Sequence, residues 1–388
     1  MRNFRTREKK LKITHVITNL ATGGAEVVLL NILQKIDRSR FNPTVVSLVG
    51  LGEIGPKIQA LGIQVYALGM TREGVPNPLV VLRLAKLLRQ LQPDVVHTWM
   101  YHADFLGGLA ARLAGCNRVI WGIHQSNLSK AVNKYSTLWV VKACALMSHW
   151  VPVKIISCSQ RAKKVHASVG YAGNKLHVIP NGFDLDRFVP DAAARASVRA
   201  ELGISADAAL VGLIARFDVQ KNQFGFIAAA AQIHVQRPDV YFVLAGTDVD
   251  GANAALNTAI KFHGLQANIF LLGRRDDVPR LMAALDVLAS SSHGEAFPNV
   301  LGEAMACGVP CVVTDAGDSA DIVSSTGRVV AVSDMEALAQ QLLHVLDLPA
   351  AERAALGMQA RERVQAEYEI GNVAGLYEAF YERVAAHE

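Results

Sequence analysis

The sequence has little cysteine and no long apolar run. Its 388 residues include five cysteines, an odd number, and none of them forms a CxxC pair or the spacing of a small secreted disulfide domain. Cys307 and Cys311 lie four residues apart, but no histidine or second cysteine pair accompanies them, so a metal site there is disfavoured. These features point to a reducing cytoplasm. No apolar stretch approaches the roughly 20 residues that cross a bilayer, so we expect a soluble or peripherally bound protein.

Acidic residues are scarce in the first half of the chain. Residues 1–180 contain 24 Lys and Arg but 7 Asp and Glu, a net charge of +17, whereas residues 181–388 contain 15 and 27, a net charge of −12. A basic half of this size favours contact with an anionic surface. Nucleic acid is one such surface, but no RNA-binding or DNA-binding motif is present. With 51% hydrophobic and 19% charged residues, the chain is otherwise typical of an ordered globular protein.

Short β-branched runs alternate with helical stretches along both halves. In the first half the strand-like runs are KITHVIT, PTVVSLV, IQVYAL, DVVHTW and RVIWGI. In the second half they are AALVGLIA, VYFVLAG, NIFLLG, DVLASS and VPCVVTD. Alternation of this kind predicts parallel strands joined by right-handed crossovers, and therefore two Rossmann-like sheets.

The length of the chain also favours two domains. We place the first domain at residues 1–185 and the second at residues 186–368, joined near the turn-rich segment IPNGFDLDRF. The last stretch, residues 369–388, has the apolar spacing of an amphipathic helix, and we expect it to pack back on the first domain. Ligands of open α/β sheets bind at the carboxyl ends of the strands, so the loops that follow the strands are the candidate sites.

Two loops of the first half carry candidate residues. Gly23 and Gly24 follow the first strand and open a helix, where backbone N–H groups can meet an anion, although a tight strand-to-helix turn explains them equally well. His124 ends the fifth strand, at an edge where a side chain can face a ligand. His97 and His102, near the preceding strand end, are weaker candidates. A buried structural histidine is the alternative for each of the three.

Two further loops lie in the second half. Arg216 and Lys221, in ARFDVQKN, place two cations at a strand end, and such a pair can balance the charge of a diphosphate. A solvated loop is the alternative. In LLGRRDDV, Gly273 permits close backbone approach and the backbone of Arg274 can meet a flat base, while Asp276 or Asp277 is expected to cap the next helix.

The segment SSHGEAFPNVLGEAMACGVPCVVTD carries the strongest signal. Glu295 lies in a loop after a strand, Asn299 marks a helix start, and Glu303 falls within the first two turns of that helix. A helix amino terminus binds phosphate through its N–H groups, and two carboxylates eight residues apart bracket it. One carboxylate can hold sugar hydroxyls and the other ribose hydroxyls. Acidic residues also favour helix starts, but the apolar residues around these two argue against ordinary surface glutamates.

Taken together, these segments resemble the retaining GT-B glycosyltransferases of family four, also called group 1. The most specific feature is the E-x7-E element from Glu295 to Glu303. It is accompanied, in the family's order, by the GGAE loop, a strand-end histidine, the IPNGFD linker, an R-x4-K pair and the LLG loop. The resemblance covers nearly the whole chain and implies two Rossmann-like domains with an inter-domain cleft.

The resemblance implies a role for each candidate residue. Arg216 and Lys221 would hold the diphosphate of a nucleotide-sugar donor and stabilise the departing nucleotide. Glu303 would bind the ribose hydroxyls, and Glu295 the hydroxyls of the donor sugar. The other implied donor contacts are the backbone amides around Phe297, Asn299 and Val300, the side chain of His124, and the glycines Gly23 and Gly24. Domain closure would assemble the site and exclude water.

The sequence departs from the family's pattern at two positions. The family usually has glycine before the arginine and after the lysine, where this chain has Ala215 and Asn222, which leaves the loop shape open. No DxD motif is present, so we expect no obligatory metal ion and no cofactor beyond the nucleotide sugar. The family is thought to react by front-face displacement, in which the leaving phosphate helps to remove the acceptor proton.

The resulting hypothesis is transfer of a hexose or N-acetylhexosamine from a nucleotide diphosphate sugar, with UDP favoured, to a lipid-linked or envelope glycan acceptor. The basic half would lie against the inner face of the cell membrane, and the stretch STLWVVKACALMSHW is a candidate contact surface. Its tryptophans are core residues in the alternative interpretation. A nucleotide-sugar epimerase on the same fold and a non-catalytic nucleotide-sugar-binding protein are the two other functions considered.

Overall fold

The computed structural model describes residues 10–71, 78–129 and 133–386. The chain divides into two compact units. Unit 1 comprises Met1–Gly182 together with Ile370–Glu388, and unit 2 comprises Phe183–Glu369. The boundaries lie within three residues of the predicted ones at 185 and 368. Unit 2 is therefore an insertion between two segments of unit 1.

The described part of unit 1 contains a seven-stranded parallel sheet flanked by helices. Its strands are β1 (Leu11–Ile17), β2 (Phe41–Ser47), β3 (Gln64–Ala67), β4 (Val95–Trp99), β5 (Val119–Ile123), β6 (Lys154–Ser157) and β7 (Leu176–Val178). The helices before the insertion are α1 (Gly24–Lys35), α2 (Ile54–Ala60), α3 (Pro78–Leu91), α4 (Tyr101–Leu113), α5 (Tyr135–Met147) and α6 (Gln160–Ser168). The strand order β3-β2-β1-β4-β5-β6-β7 is Rossmann-like, with the chain reversing direction beside β1.

Unit 2 contains a six-stranded parallel sheet in the order β10-β9-β8-β11-β12-β13. Its strands are β8 (Leu210–Ile214), β9 (Tyr241–Ala245), β10 (Ile269–Leu271), β11 (Val287–Ser290), β12 (Cys311–Thr314) and β13 (Arg328–Val330). Its helices are α7 (Ala192–Leu202), α8 (Gln223–Gln236), α9 (Ala254–Phe262), α10 (Val278–Ala284), α11 (Asn299–Ala306), α12 (Ser319–Val323), α13 (Met335–Asp347) and α14 (Ala350–Tyr368). The two central strands, β8 and β11, are buried along almost their whole length.

All ten predicted strands are present, and three strands were not predicted. The additional ones, β6, β7 and β13, have only three or four residues each.

Local sequence explains where helices begin and end. The side chain of Asp191 accepts a hydrogen bond of 2.9 Å from the backbone N–H of Ala194 and so caps the first turn of α7. The helix ends at Gly203, whose φ of +67° is the left-handed conformation that glycine adopts without strain.

The last helix, α15 (Ile370–Ala385), packs on unit 1. It buries Tyr377 and Tyr381 in the core of that unit. The carboxylate of Glu378 accepts hydrogen bonds from the backbone N–H of Asp37 at 2.7 Å and from the guanidinium of Arg40 at 3.2 Å. Across the described residues, no helix combines the length and apolar character that a bilayer crossing requires.

Candidate active site

The candidate site of unit 2 lies at the carboxyl ends of β8 and β11. These strands are neighbours in the sheet, and the chain runs outward from them in opposite directions. Such a switch point leaves a crevice outside the sheet edge, because the two following loops turn away from each other. The loop after β8 carries Arg216 and Lys221, and the loop after β11 carries Glu295.

Lys221 and Glu295 form an ion pair at this edge. The Lys221 ammonium lies 2.5 Å from Oε1 of Glu295, and both side chains are largely buried. The hydroxyl of Ser292 donates to the same carboxylate oxygen at 2.7 Å. A cation and a carboxylate are thus held side by side, with limited access to solvent that would screen them.

The conformation of the β8 loop explains one departure from the family pattern. Asn222 has a φ of +52°, in the left-handed region where glycine is most common and asparagine is the usual substitute. Its side chain also accepts a hydrogen bond of 3.0 Å from the N–H of Gly225 and so caps α8. Asparagine therefore fills the position of the family's second glycine. The backbone of Ala215 has no positive φ and places no demand for glycine.

Hydrogen bonds tie the loops after β8 and β11 together. The hydroxyl of Ser291 donates to the backbone carbonyls of Lys221 and Asn222 at 2.9 and 3.0 Å. The N–H of His293 donates to the carbonyl of Gln220 at 2.7 Å. These contacts hold Lys221 at a fixed position relative to Glu295.

The loop after β12 supports the Glu295 loop from the other side. Gly317 has a φ of +63°, and a Cβ atom there would lie 2.4 Å from the carbonyl oxygen of Glu295. The N–H of Asp318 donates to the carbonyl of Ala296 at 3.1 Å. Sequence reasoning did not identify Ser291, Ser292 or Gly317. The run of three serines at the end of β11, Ser290 to Ser292, is the signal that could have indicated the two hydroxyls.

Arg216 is oriented differently from Lys221. Its guanidinium is exposed and forms a two-point contact with Asp218, at 2.7 and 3.1 Å. Its carbonyl accepts a hydrogen bond of 2.7 Å from the buried side chain of Gln223. The structure therefore anchors the backbone of Arg216 and pairs its side chain with Asp218, a residue that sequence reasoning did not single out.

Glu303 lies on α11, eight residues after Glu295. The residue keeps some contact with solvent, but protein surrounds its carboxyl group closely enough that desolvation raises its pKa to about 7. The guanidinium of Arg187 opposes this rise in pKa through its positive charge. No hydrogen bond to the Glu303 carboxyl comes from any described residue, so the group keeps its capacity to accept one.

The remaining donor candidates of unit 2 have varied surroundings. Phe297 is buried and stacks on Phe183 with 6.2 Å between ring centroids, so its side chain contributes packing. Asn299 and Val300 open α11 and are half-buried, as a backbone site at the helix amino terminus requires. Arg274 is exposed and follows Gly273, whose φ is +64°.

His124, in unit 1, lies in a buried aromatic cluster. Its ring stacks on Trp99, with 4.9 Å between centroids and an interplanar angle of 13°. Burial lowers its pKa to about 4, so the imidazole is neutral at physiological pH. Neither ring nitrogen has a hydrogen-bond partner among the described residues. The residue as a whole is partly exposed, and its role beside a donor sugar stays a prediction.

The other candidates of unit 1 lie at the start of α1, on β4 and on α4. Gly23 is the residue before α1, in extended conformation, and a Cβ atom there would lie 2.4 Å from the carboxylate of Glu26. Gly24 begins that helix. His97 is buried and its Nδ1 lies 2.9 Å from the hydroxyl of Tyr381, which agrees with the structural alternative. His102 is on α4, and burial lowers its pKa.

The expected cap on α10 is not formed. Asp277 precedes that helix, but its side chain makes no capping hydrogen bond. It pairs instead with Arg275 at 2.6 Å and Arg280 at 2.9 Å, and these guanidiniums strongly lower its pKa. The two arginines compete successfully because a charged donor binds a carboxylate more strongly than a backbone N–H does.

Two family models match the chain. The model described as "Glycosyl transferases group 1" matches residues 194–363, and "Glycosyltransferase Family 4" matches residues 22–187. Each match falls within one half of the chain, and together they include every candidate residue named above.

Curated relatives match over most of their length. A putative glycosyltransferase, EpsF, of Bacillus subtilis is 27% identical over 78% of this chain and 79% of its own. An Escherichia coli protein named UDP-Gal:alpha-D-GlcNAc-diphosphoundecaprenol alpha-1,3-galactosyltransferase is 27% identical over 89% of this chain and 90% of its own.

Solved structures share the fold. Anabaena Alr3699/HepE in complex with UDP has a TM-score of 0.83 and 23% identity, covering 96% of this chain and all of its own. The same protein in complex with UDP-glucose gives the same score. These likenesses confirm the predicted GT-B class of two Rossmann-like domains.

Proposed function

Because the chain belongs to the group 1 glycosyltransferases of family 4, we propose that it moves a hexose or N-acetylhexosamine from a UDP-sugar to a lipid-linked or envelope glycan acceptor, with retention of the anomeric configuration. The name of the Escherichia coli relative supports both a UDP-linked donor and a lipid-linked acceptor. The UDP and UDP-glucose bound to the Anabaena protein support the donor.

The observation that carries the proposal is the pairing of Lys221 with Glu295 at the switch point of unit 2. The ammonium is suited to the donor diphosphate, whose negative charge grows as the bond to the sugar breaks. The carboxylate of Glu295 is suited to accept hydrogen bonds from sugar hydroxyls. Glu303, about one turn after the start of α11, would bind the ribose.

The proposed reaction breaks the bond between the anomeric carbon and the donor phosphate and forms one to the acceptor oxygen on the same face. The acceptor proton passes to the departing phosphate. Lys221 and Arg216 supply positive charge to the diphosphate, and for that reason we propose that no divalent metal is required. Activity in the presence of EDTA tests this point.

We place the protein at the inner face of the cell membrane, where a lipid-linked acceptor is presented. The excess of cations in the first half of the chain supports this location through attraction to anionic lipids.

A panel of nucleotide sugars tests the function. Thermal shift should identify the UDP-sugar that stabilises the protein, and release of UDP should require a polyprenyl-diphosphate-linked sugar acceptor. Proton NMR of the product gives the anomeric configuration. Conversion of the donor without acceptor would indicate an epimerase. If Glu295→Ala leaves function intact, a non-catalytic binding protein is the better description, and if no nucleotide sugar stabilises the chain, the proposal is wrong.

A further inference from the structure

Helix α5 exposes a stripe of large apolar side chains, which we call the α5 stripe. It consists of Tyr135, Trp139 and Leu146 on the helix and Trp150 just beyond it, exposed by 69, 71, 62 and 62%. The spacing of four and seven residues places the three helical members on one side, because a helix repeats every 3.6 residues. Large apolar side chains exposed together on one side of a helix are typical of interaction sites.

The opposite side of α5 is already packed. Val141, Cys144 and Ala145 are buried in the core of unit 1. The helix is therefore apolar on both sides, with Lys142 as the single charged residue within it. A helix that is apolar all round is normally covered on all sides. No described residue buries the α5 stripe, although a helix of this composition is normally buried on all sides.

The turn that carries Trp150 is firmly held. The ammonium of Lys175 donates to three backbone carbonyls of this turn, at 2.8 to 3.1 Å. The guanidinium of Arg112 donates to the carbonyls of Trp150 and Val151, at 2.5 and 2.9 Å. Two charged side chains thus fix the backbone of the turn from which the Trp150 side chain reaches solvent.

The chain around the α5 stripe carries only positive charge. Between Asp104 and Asp184 there is no acidic residue. The ten cations in this interval are Arg112, Arg118, Lys130, Lys134, Lys142, Lys154, Arg161, Lys163, Lys164 and Lys175. Lys130 lies outside the described residues. The ammonium of Lys142 lies 5.4 Å from the ring centroid of Trp139, so charge and aromatic surface are in contact.

We propose that the α5 stripe docks on the interface of an anionic lipid bilayer. Trp139 and Trp150 would lie at the level of the headgroups, where the amphipathic indole is favoured, and Lys142 beside Trp139 would face a lipid phosphate. This inference shares the lipid-linked acceptor with the proposed function, but binding to vesicles requires no turnover.

A bilayer suits the α5 stripe better than a second copy of this chain does. A two-fold dimer would place the stripe against itself and bring the same set of cations together from both sides. Like charges at an interface oppose association. An anionic leaflet instead supplies the apolar cover and the opposite charge at once.

Vesicle binding by the intact protein tests the proposal. Phosphatidylcholine vesicles, with and without phosphatidylglycerol, are compared by co-sedimentation and by tryptophan emission. Of the four tryptophans, Trp99 and Trp121 are fully buried, so a blue shift on binding would report Trp139 and Trp150. The test variant combines Trp139→Ser with Trp150→Ser. Its matched control is Phe262→Ser, which removes an aromatic side chain that is 83% exposed on unit 2.

We expect the natural protein and the control to bind phosphatidylglycerol vesicles with a blue shift, and the double serine variant to bind at least about tenfold more weakly. Lys134→Gln and Lys142→Gln should each weaken binding by about fivefold. Stabilisation of the double serine variant by a UDP-sugar should be unchanged, which separates this proposal from the proposed function.

Four results would overturn the inference. The first three are equal binding to vesicles without phosphatidylglycerol, unchanged binding of the double serine variant, and a concentration-dependent dimer in which the two tryptophans become protected. Preferential binding to single-stranded RNA over vesicles would replace the lipid partner with a nucleic acid.

Discussion

At the scale of single residues, the ion pair between Lys221 and Glu295 sets up a competition. In the free protein the ammonium neutralises the carboxylate at 2.5 Å. A bound diphosphate would offer the same ammonium a second, more highly charged partner. Glu295 would then be released toward hydroxyl groups nearby, with Ser292 still donating to it.

Lys221→Ala should therefore damage the chemistry more than the fold. We expect the rate of sugar transfer to fall by about 10²–10³-fold, because charge on the leaving group loses its stabilising cation. Initial rates with a saturating UDP-sugar measure the effect. The control Lys261→Ala removes an exposed lysine on α9 and should leave the rate unchanged. An unaltered rate in Lys221→Ala would contradict the role given to this residue.

Glu303 should make the stability of the protein depend on pH. Its folded pKa of about 7 lies above the ordinary value of 4.5, because burial disfavours the charged form. The stabilisation that it contributes is complete below pH 4.5 and is lost as the pH rises toward 7. The free energy of unfolding should therefore fall across this interval. Glu303→Gln should remove that part of the slope, as measured by urea unfolding at a series of pH values.

The affinity for UDP should change in the opposite sense. A carboxylate accepts hydrogen bonds from ribose hydroxyls better than a carboxylic acid does. We expect UDP to bind more tightly as the pH rises through 7, and Glu303→Gln to bind weakly at every pH. Titration calorimetry with UDP at pH 6 and 8 distinguishes the natural protein from Glu303→Gln. Equal pH dependence in both proteins would exclude Glu303 as the titrating group.

For His124, the sequence predicted the position of the residue but not the contacts of its side chain. Its position at the end of β5 was foreseeable from the alternating pattern. Its stacking on Trp99 was not, because the two residues are 25 positions apart, one at the end of β4 and the other directly after β5. Asp277 illustrates the same limit, since its two arginine partners become neighbours only once the loop has folded.

At the scale of elements, Gly317 links the β12 loop to the loop of Glu295. Gly317→Ala combines left-handed strain at φ +63° with a Cβ atom 2.4 Å from a carbonyl oxygen. We expect a loss of about 1–3 kcal/mol of stability and a slower transfer reaction. The control is Gly264→Ala, which has a φ of +71° but no atom within 4 Å of the added Cβ.

Both variants strain a left-handed backbone, but only Gly317→Ala also brings a Cβ atom against a carbonyl oxygen. The difference between them therefore measures the effect of that close contact. Gly264→Ala should cost about 1 kcal/mol and leave the rate of transfer unaffected. Thermal unfolding and initial rates measure both quantities. Equal losses of stability and rate in the two proteins would show that the contact with Glu295 has no role of its own.

Most of the regular elements could be predicted from the sequence, whereas the loops could not. Long strands and helices repeat an apolar pattern often enough to be recognised. The loops after β8 and β11 have no such period, and their shape depends on single contacts such as the hydrogen bonds of Ser291. The E-x7-E element still predicted a loop followed directly by a helix start, and the structure has the loop after β11 and then α11 at these positions.

At the scale of the whole molecule, the insertion of unit 2 makes unit 1 depend on the end of the chain. Deleting residues 370–388 would remove Tyr377 and Tyr381 from the core of unit 1. All four tryptophans belong to unit 1, so their emission reports on this unit alone. We expect a red shift of emission in the truncated protein. A chain that ends at Ala385 is the control, and native emission in the truncated protein would show that unit 1 closes without α15.

The same insertion imposes an order on synthesis. A ribosome completes β1 to β7 long before it reaches α15, yet the core of unit 1 needs side chains from that last helix. All of unit 2 is synthesised before α15, so unit 2 can fold while the first segment of unit 1 is still incomplete. The nascent first segment therefore carries unburied apolar surface throughout the translation of unit 2, which makes it the part of the newborn protein most in need of a chaperone.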